Sequence, residues 1–188
     1  MTRSPPFLYL HPATNHPSPE PRRVGRVGLV VLIVAVSATA AGVSWQVRTS
    51  PTTKGSPWAV ISSAAGDELA LFRDKNNQVH LQFKLAGTFA TLAAGRCPTF
   101  QVDTQTALYH LAVDKECHVD HKRVLFDVGT VRNRMLVSAP VEQLMNGTQL
   151  EIRYVTADGT YHKADFPLHD SSLAIRRALG RSVRVRAH

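Results

Sequence analysis

Cysteine and histidine are the residues of this 188-residue chain whose spacing first suggests chemistry. The stretch 117–121 (CHVDH) places a thiol, two imidazoles and a carboxylate within five residues, and His110 lies shortly upstream. Zinc and copper sites use these ligand types, so His110, Cys117, His118 and His121 are candidate metal ligands. The spacing matches no standard zinc pattern, and a solvated loop between strands explains the same residues. We therefore expect no bound cofactor and keep a metal site as an alternative.

The two cysteines, Cys97 and Cys117, also have a simpler interpretation. They are the only cysteines in the chain. In an exported domain they meet an oxidising compartment, where a disulfide is the usual state of a cysteine pair. The sequence therefore predicts a Cys97–Cys117 disulfide. The chain has no CxxC motif, so a thioredoxin-like redox function is not supported.

No motif of a known enzyme class is present. The chain lacks a GxSxG elbow, and its serines, histidines and aspartates show no recognisable catalytic arrangement. Ser138 and Ser171 are explained as helix caps, and the aspartates fall mostly at the ends of predicted strands. We therefore predict a protein that is not an enzyme, with a small envelope enzyme as an alternative.

Five arginines close to the end of the chain form the remaining candidate site: Arg176, Arg177, Arg181, Arg184 and Arg186. Such a run attracts anionic lipid or an acidic partner by roughly 1 kcal/mol per charge near a surface. Residues 176–188 are accordingly predicted to be a basic tail that contacts a membrane or a partner. A tail without contacts, surrounded by solvent, remains the competing interpretation.

The distribution of charge argues against nucleic acid as a partner. The net charge of +8 is suggestive on its own. However, residues 55–175 contain 11 Lys and Arg against 13 Asp and Glu, so the part that should fold has a net charge of −2. The excess positive charge lies in residues 1–26, around Arg48 and Lys54, and in residues 176–188.

Residues 27–47 form an uncharged apolar stretch long enough to cross a bilayer as a helix of about 30 Å. Arginines are more numerous before it than after it, so we expect the N-terminus in the cytoplasm and the rest outside. The predicted location is therefore the inner membrane, with one span and a periplasmic domain. The competing interpretation is a signal peptide cleaved after the small residues 38–40 (ATA), which leaves a soluble periplasmic protein.

The other segments follow from composition. Residues 1–26 are Pro-rich and are predicted to be a disordered cytoplasmic tail, and residues 48–57 are predicted to be a linker. Residues 58–175 are predicted to form one mainly β domain, an antiparallel sandwich or barrel-like fold with two short helices. Period-2 alternation in 79–85 and the turn Asp158-Gly159 favour antiparallel hairpins.

The two helices are predicted from capping signals. Ser138 is placed to cap the first, with Pro140 in its first turn and Asn146-Gly147 at its end. Asp170 or Ser171 is placed to cap the second, which runs to Leu179 and stops at Gly180.

The order of these elements resembles the invasion-associated locus B family of bacterial exported proteins. The similar residues are Cys117, 141–144 (VEQL), 146–147 (NG), 150–154 (LEIRY), 166–168 (FPL) and 171–175 (SSLAI), with 57–60 (PWAV) at the start. The resemblance covers about 120 residues. It implies an all-β exported domain without known enzymatic chemistry, and it supplies no catalytic residues.

Together these observations predict a non-catalytic binding or accessory module of the bacterial envelope, held in the inner membrane. The expected partners are membrane lipid and another envelope protein. A periplasmic metal-binding module that uses the His118 and His121 loop is the first alternative.

Overall fold

The computed structural model describes residues 43–49, 55–87, 89–105 and 117–187. These residues form eleven strands and two helices. The strands are β1 (Gln46–Thr49), β2 (Pro57–Ser62), β3 (Glu68–Arg73), β4 (Gln78–Lys84), β5 (Thr99–Val102), β6 (His118–Asp120), β7 (Arg123–Thr130), β8 (Met135–Val137), β9 (Gln149–Val155), β10 (Tyr161–Pro167) and β11 (Arg184–Arg186). The helices are α1 (Ala139–Asn146) and α2 (Ser171–Leu179).

The strands are arranged in two antiparallel sheets and one short parallel pair. The larger sheet has the order β1-β2-β3-β4-β7-β6, and the smaller has the order β10-β9-β5. Strand β11 pairs with β8 in parallel, with Arg184 opposite Met135. The prediction of a mainly β domain with antiparallel sheets and two helices is confirmed, and the parallel pair is an addition that it did not contain.

Alternation along the strands determines which side chains enter the core. In β4, Val79, Leu81 and Phe83 are fully buried, whereas His80 and Gln82 between them are not. Such alternation is typical of a strand with one buried face.

Aromatic rings join the two sheets across the core. Phe83 of the larger sheet meets Phe166 of the smaller one edge-on, with ring centroids 6.3 Å apart. Phe100 and Phe126 make a second edge-to-face contact at 6.1 Å. Aromatic pairs prefer this arrangement, and each such pair adds roughly 0.5–1.5 kcal/mol to area burial. The inner faces of the sheets therefore share one core.

Both helices lie where the capping signals predicted them. The Ser138 hydroxyl accepts from Val141 N at 3.4 Å, and α1 ends at Gly147. Helix α2 ends at Gly180. Asp170 precedes α2 in a left-handed conformation and makes no side-chain cap. Ser171 instead donates to the carbonyl of Leu144 at 2.6 Å, which ties the two helices together.

The predicted boundary at the start of the domain is wrong. Gln46 and Val47 were assigned to the transmembrane helix, and Arg48 and Thr49 to the linker, but all four form β1, which pairs with β2. The reason is Trp45. It is 9% exposed, and its indole N–H donates to the carbonyl of Pro167 at 3.0 Å, so the domain begins before the predicted linker.

The rest of the predicted span, residues 27–42, lies outside the described residues, as does the Pro-rich segment 1–26. Of the helices that the structure describes, none has the length and apolar composition needed to cross a bilayer.

Candidate functional site

The predicted disulfide is confirmed. Cys97 and Cys117 are bonded, with Cα atoms 5.9 Å apart. Cys117 therefore cannot ligate a metal, which corrects its place among the candidate ligands. A disulfide consumes the thiolate that metal binding requires.

The histidine loop has no arrangement of metal ligands in the part of the chain that is described. His118 lies in β6 and is exposed, and His121 lies in the following turn at φ +34°. No three His, Cys, Asp or Glu side chains in the described ranges are grouped to hold an ion. His110 lies outside these ranges.

The predicted basic tail belongs to the fold, which is a correction. Arg176 and Arg177 lie in the last turns of α2, and Arg184 and Arg186 lie in β11. Val183 is only 4% exposed. The physical reason is the alternation of Val183 and Val185 with charged residues, which suits a half-buried strand.

Folding gathers three of these arginines around one surface cleft. In the sequence, Arg176 precedes Gly180, where α2 ends, and Arg181 follows it. Arg184 is the first residue of β11. The cleft has a volume of about 540 Å³. Met135 and Val183 add apolar surface, while Asn133 and Ser182 add neutral polar groups.

A fourth arginine, Arg134, lines the same cleft, and sequence analysis missed it as a site residue. It comes from the turn between β7 and β8, about 40 to 50 residues before the other three in the chain. Its carbonyl accepts from Arg184 N at 2.9 Å, so the two residues lie side by side. No linear pattern could have linked Arg134 to the C-terminal arginines, because β11 pairs with β8 only in the folded chain.

The turn that carries Arg134 is strained. Hydrogen bonds from Arg132 N to Met135 O and from Met135 N to Arg132 O close it at 2.9 and 2.8 Å. Asn133 and Arg134 both have left-handed backbones, with φ of +50° and +61°. A two-residue hairpin of this kind prefers Asn followed by Gly, because glycine adopts positive φ without steric cost. Arginine occupies the glycine position here, and backbone strain of this kind is often found at functional sites.

Among the described residues, no acidic side chain pairs with the arginines of the cleft. Arg134, Arg176, Arg181 and Arg184 are all exposed, and no carboxylate within the described ranges lies within 4.0 Å of their guanidinium groups. Four like charges around one cleft repel one another, and field lines concentrate there. An anion would relieve the repulsion, so the arrangement favours an anionic ligand.

The exposed face of the smaller sheet provides a contrast. There Glu151 accepts from Lys163 at 3.1 Å and from Arg153 at 2.5 Å. The hydrogen bond from Lys163, and then that from Arg153, lower the pKa of Glu151 below its ordinary value of 4.5. Acidic and basic side chains pair with one another here, so this surface has no excess of positive charge comparable to that of the cleft.

Comparisons of the chain with protein-family models, with curated proteins and with solved structures found no match.

Proposed function

We propose that the protein is a non-catalytic binding module of the bacterial envelope that holds an anionic partner in its arginine-lined cleft. The observation that carries this proposal is the convergence of four arginines from a turn, a helix end and a strand, without described acidic partners. Guanidinium groups bind carboxylate and phosphate oxygens in a bidentate manner, which gives such a cleft both affinity and orientation.

The location outside the cytoplasm belongs to the same proposal. The Cys97–Cys117 disulfide supports it, because disulfides persist mainly in oxidising compartments. The apolar residues 27–42, which carry no charge and precede the described residues, belong to the same proposal. As a helix they would be about 24 Å long, against about 30 Å for the hydrocarbon core of a bilayer.

We propose that the two sheets of the domain pack as a sandwich. We also propose that the protein is anchored in the inner membrane with its N-terminus in the cytoplasm. Cleavage after Ala40 would leave the buried Trp45 within the mature chain, so a signal peptide is compatible with the same domain. The N-terminal sequence of the mature protein separates the two interpretations. A retained N-terminus supports the membrane anchor, whereas a mature chain that starts at Ala41 indicates a cleaved signal peptide. The resemblance to the invasion-associated locus B family agrees with a non-catalytic exported domain.

Binding is tested with the full chain in non-ionic detergent, applied to a dextran sulfate resin and eluted with salt. Replacing Arg176 and Arg184 by Gln should lower the salt concentration needed for elution, because two of the four cleft charges are lost. The matched control replaces Lys75 and Arg96 by Gln. Both are exposed, and they lie outside the cleft. Equal elution of the two double variants would show that net charge alone, and not the cleft, retains the protein.

Export is tested separately with a reporter that is active only outside the cytoplasm, fused after His188. We expect activity, and inactivity combined with activity of a cytoplasmic reporter would contradict the proposed location.

A further inference from the structure

We propose that the arginine-lined cleft recognises a ligand with two or more closely spaced phosphate groups; this inference rests on the proposed function and names the ligand class of the same site. Four guanidinium groups that pair with no carboxylate of the described residues share a cleft of about 540 Å³. A phosphate monoester carries about −1.5 to −2 charges at neutral pH, so two such groups balance four arginines. Carboxylates carry one charge each, and four of them would have to fit in the same volume.

The arginines of the cleft come from two parts of the chain. Arg134, in the turn before β8, and Arg184, at the start of β11, are joined by the hydrogen bond from Arg184 N to Arg134 O. Arg176 lies in the last turns of α2, and Arg181 follows Gly180, where the chain leaves α2 at φ +104°. Each planar guanidinium offers paired N–H donors to phosphate oxygens. A single phosphate is small for this volume, whereas linked phosphates can contact more of the four arginines.

The residues around the cleft argue against nucleic acid as the source of the phosphates. Proteins that bind single strands stack bases on aromatic side chains, and each stacked base contributes strongly to affinity. None of the described residues that line the cleft is aromatic. Asn133 and Ser182 supply polar groups in their place.

The test measures the affinity of the full chain in non-ionic detergent for four probes: tripolyphosphate, inorganic phosphate, poly-glutamate and single-stranded DNA. We expect tripolyphosphate to bind at least about tenfold more tightly than each of the other three, a difference that corresponds to 1.4 kcal/mol. The variants Arg184→Gln and Arg134→Gly should each lose about tenfold for tripolyphosphate. The control Arg96→Gln should bind like the wild type.

The other outcomes separate the two proposals. If poly-glutamate binds as tightly as tripolyphosphate and both depend on Arg184, the phosphate inference is overturned and the anion-binding function stands. DNA binding as tight as tripolyphosphate binding overturns it in favour of nucleic acid. If no probe responds to Arg134→Gly or Arg184→Gln, the inference and the proposed function both fail.

The source of the phosphates is distinguished with vesicles that contain cardiolipin, which carries two phosphates, or phosphatidylglycerol, which carries one. Binding to cardiolipin vesicles that tripolyphosphate displaces supports linked phosphates and assigns them to a lipid headgroup. Equal binding to both kinds of vesicle, undiminished by tripolyphosphate, overturns the inference in favour of a general anionic surface. Circular dichroism of each variant verifies that loss of binding does not arise from loss of the fold.

Discussion

At the residue scale, Arg134 combines a strained backbone conformation with a proposed role in anion binding. It occupies the second position of a tight hairpin turn at φ +61°, where glycine is favoured. A left-handed backbone costs a residue with a side chain roughly 1–2 kcal/mol. The four cleft arginines also repel one another. The anion binding proposed for Arg134 therefore explains an arginine at this position better than a contribution to stability does.

The first prediction is that Arg134→Gly stabilises the domain while it weakens anion binding. Relief of strain exceeds the extra chain freedom of glycine, which costs roughly 0.5–1 kcal/mol. The expected net gain in the free energy of unfolding is about 0.5–1 kcal/mol, measured by urea denaturation. Asn133→Gly is the matched control and should gain less, because asparagine tolerates φ +50° better than arginine. A destabilised Arg134→Gly variant would contradict the strain argument.

Tyr154 carries the second prediction, which concerns alkaline pH. Burial first, and then the charge of Asp67, raise the pKa of the Tyr154 hydroxyl above its ordinary value of 10.0. The unfolded chain thus loses this proton at a lower pH than the folded chain. The stability that the protonated hydroxyl contributes is therefore complete below pH 10.0 and is lost as pH rises through the folded pKa.

Ultraviolet titration of phenolate absorbance tests this prediction. The wild type should contain a late-titrating tyrosine that is missing in Tyr154→Phe. The variant should also lose less of its stability between neutral pH and pH 10–11 than the wild type. Tyr161→Phe is the control, because Tyr161 is 77% exposed. A titration curve that Tyr154→Phe leaves unchanged in shape would contradict the shifted pKa.

At the scale of elements, the end of α1 meets β5 at a close approach that only glycine permits. A Cβ atom at Gly147 would overlap Cγ1 of Val102 and would lie 3.1 Å from Cδ1 of Leu168. The backbone of Gly147 is at φ −78°, so the constraint is space and not conformation.

The third prediction follows from this close approach. Gly147→Ala should destabilise the domain by about 1–3 kcal/mol, the usual cost of overpacking a core. In the double variant with Val102→Ala, the total loss should be smaller than the sum of the two single losses, because the second change makes room for the new methyl group. Additive losses in thermal or urea unfolding would show that the two positions do not compete for space.

The Cys97–Cys117 disulfide joins the chain that precedes β5 to the start of β6, across a separation of 20 residues. The fourth prediction is that Cys97→Ser with Cys117→Ser lowers the free energy of unfolding by about 3 kcal/mol, the chain-entropy value for a loop of this length. Unfolding of the wild type with and without reductant should differ by a similar amount. Labelling of both cysteines in the native, non-reduced protein would contradict the bond.

At the scale of the whole molecule, the C-terminal residues complete the domain. Helix α2 packs against β2 and β3, and β11 pairs with β8, so residues 171–186 are part of the folded domain. The cleft exists only where these elements meet the turn at Arg134. Its integrity and the stability of the domain therefore depend on the same residues.

The fifth prediction is that deletion of residues 181–188 destabilises the domain by at least about 2 kcal/mol. Burial of one valine side chain contributes roughly 1.5–3 kcal/mol, and Val183 is 4% exposed. Deletion also removes Arg181 and Arg184 from the cleft. The control deletes only residues 187 and 188, beyond β11, and should unfold like the wild type. Equal melting temperatures for both truncations would restore the interpretation of a basic tail.

The sequence by itself determined the local elements of this protein. Alternation located β4, and the Asp158-Gly159 turn predicted the hairpin of β9 and β10. Ser138 and Gly147 marked the limits of α1. These features depend on contacts within a few residues, which a linear pattern contains. The cysteine pair could be predicted as well, because two cysteines allow only one pairing within the chain.

Only the tertiary structure decided where the domain starts and ends and where its candidate site lies. Trp45 appeared to belong to an apolar span until its contact with Pro167 placed it in the core. The C-terminal arginines appeared to form a tail until β11 paired with β8. Arg134 joined them through that same pairing, over a long separation in sequence. Strand pairing between distant segments has no linear signature, because it is selected by burial over the whole chain.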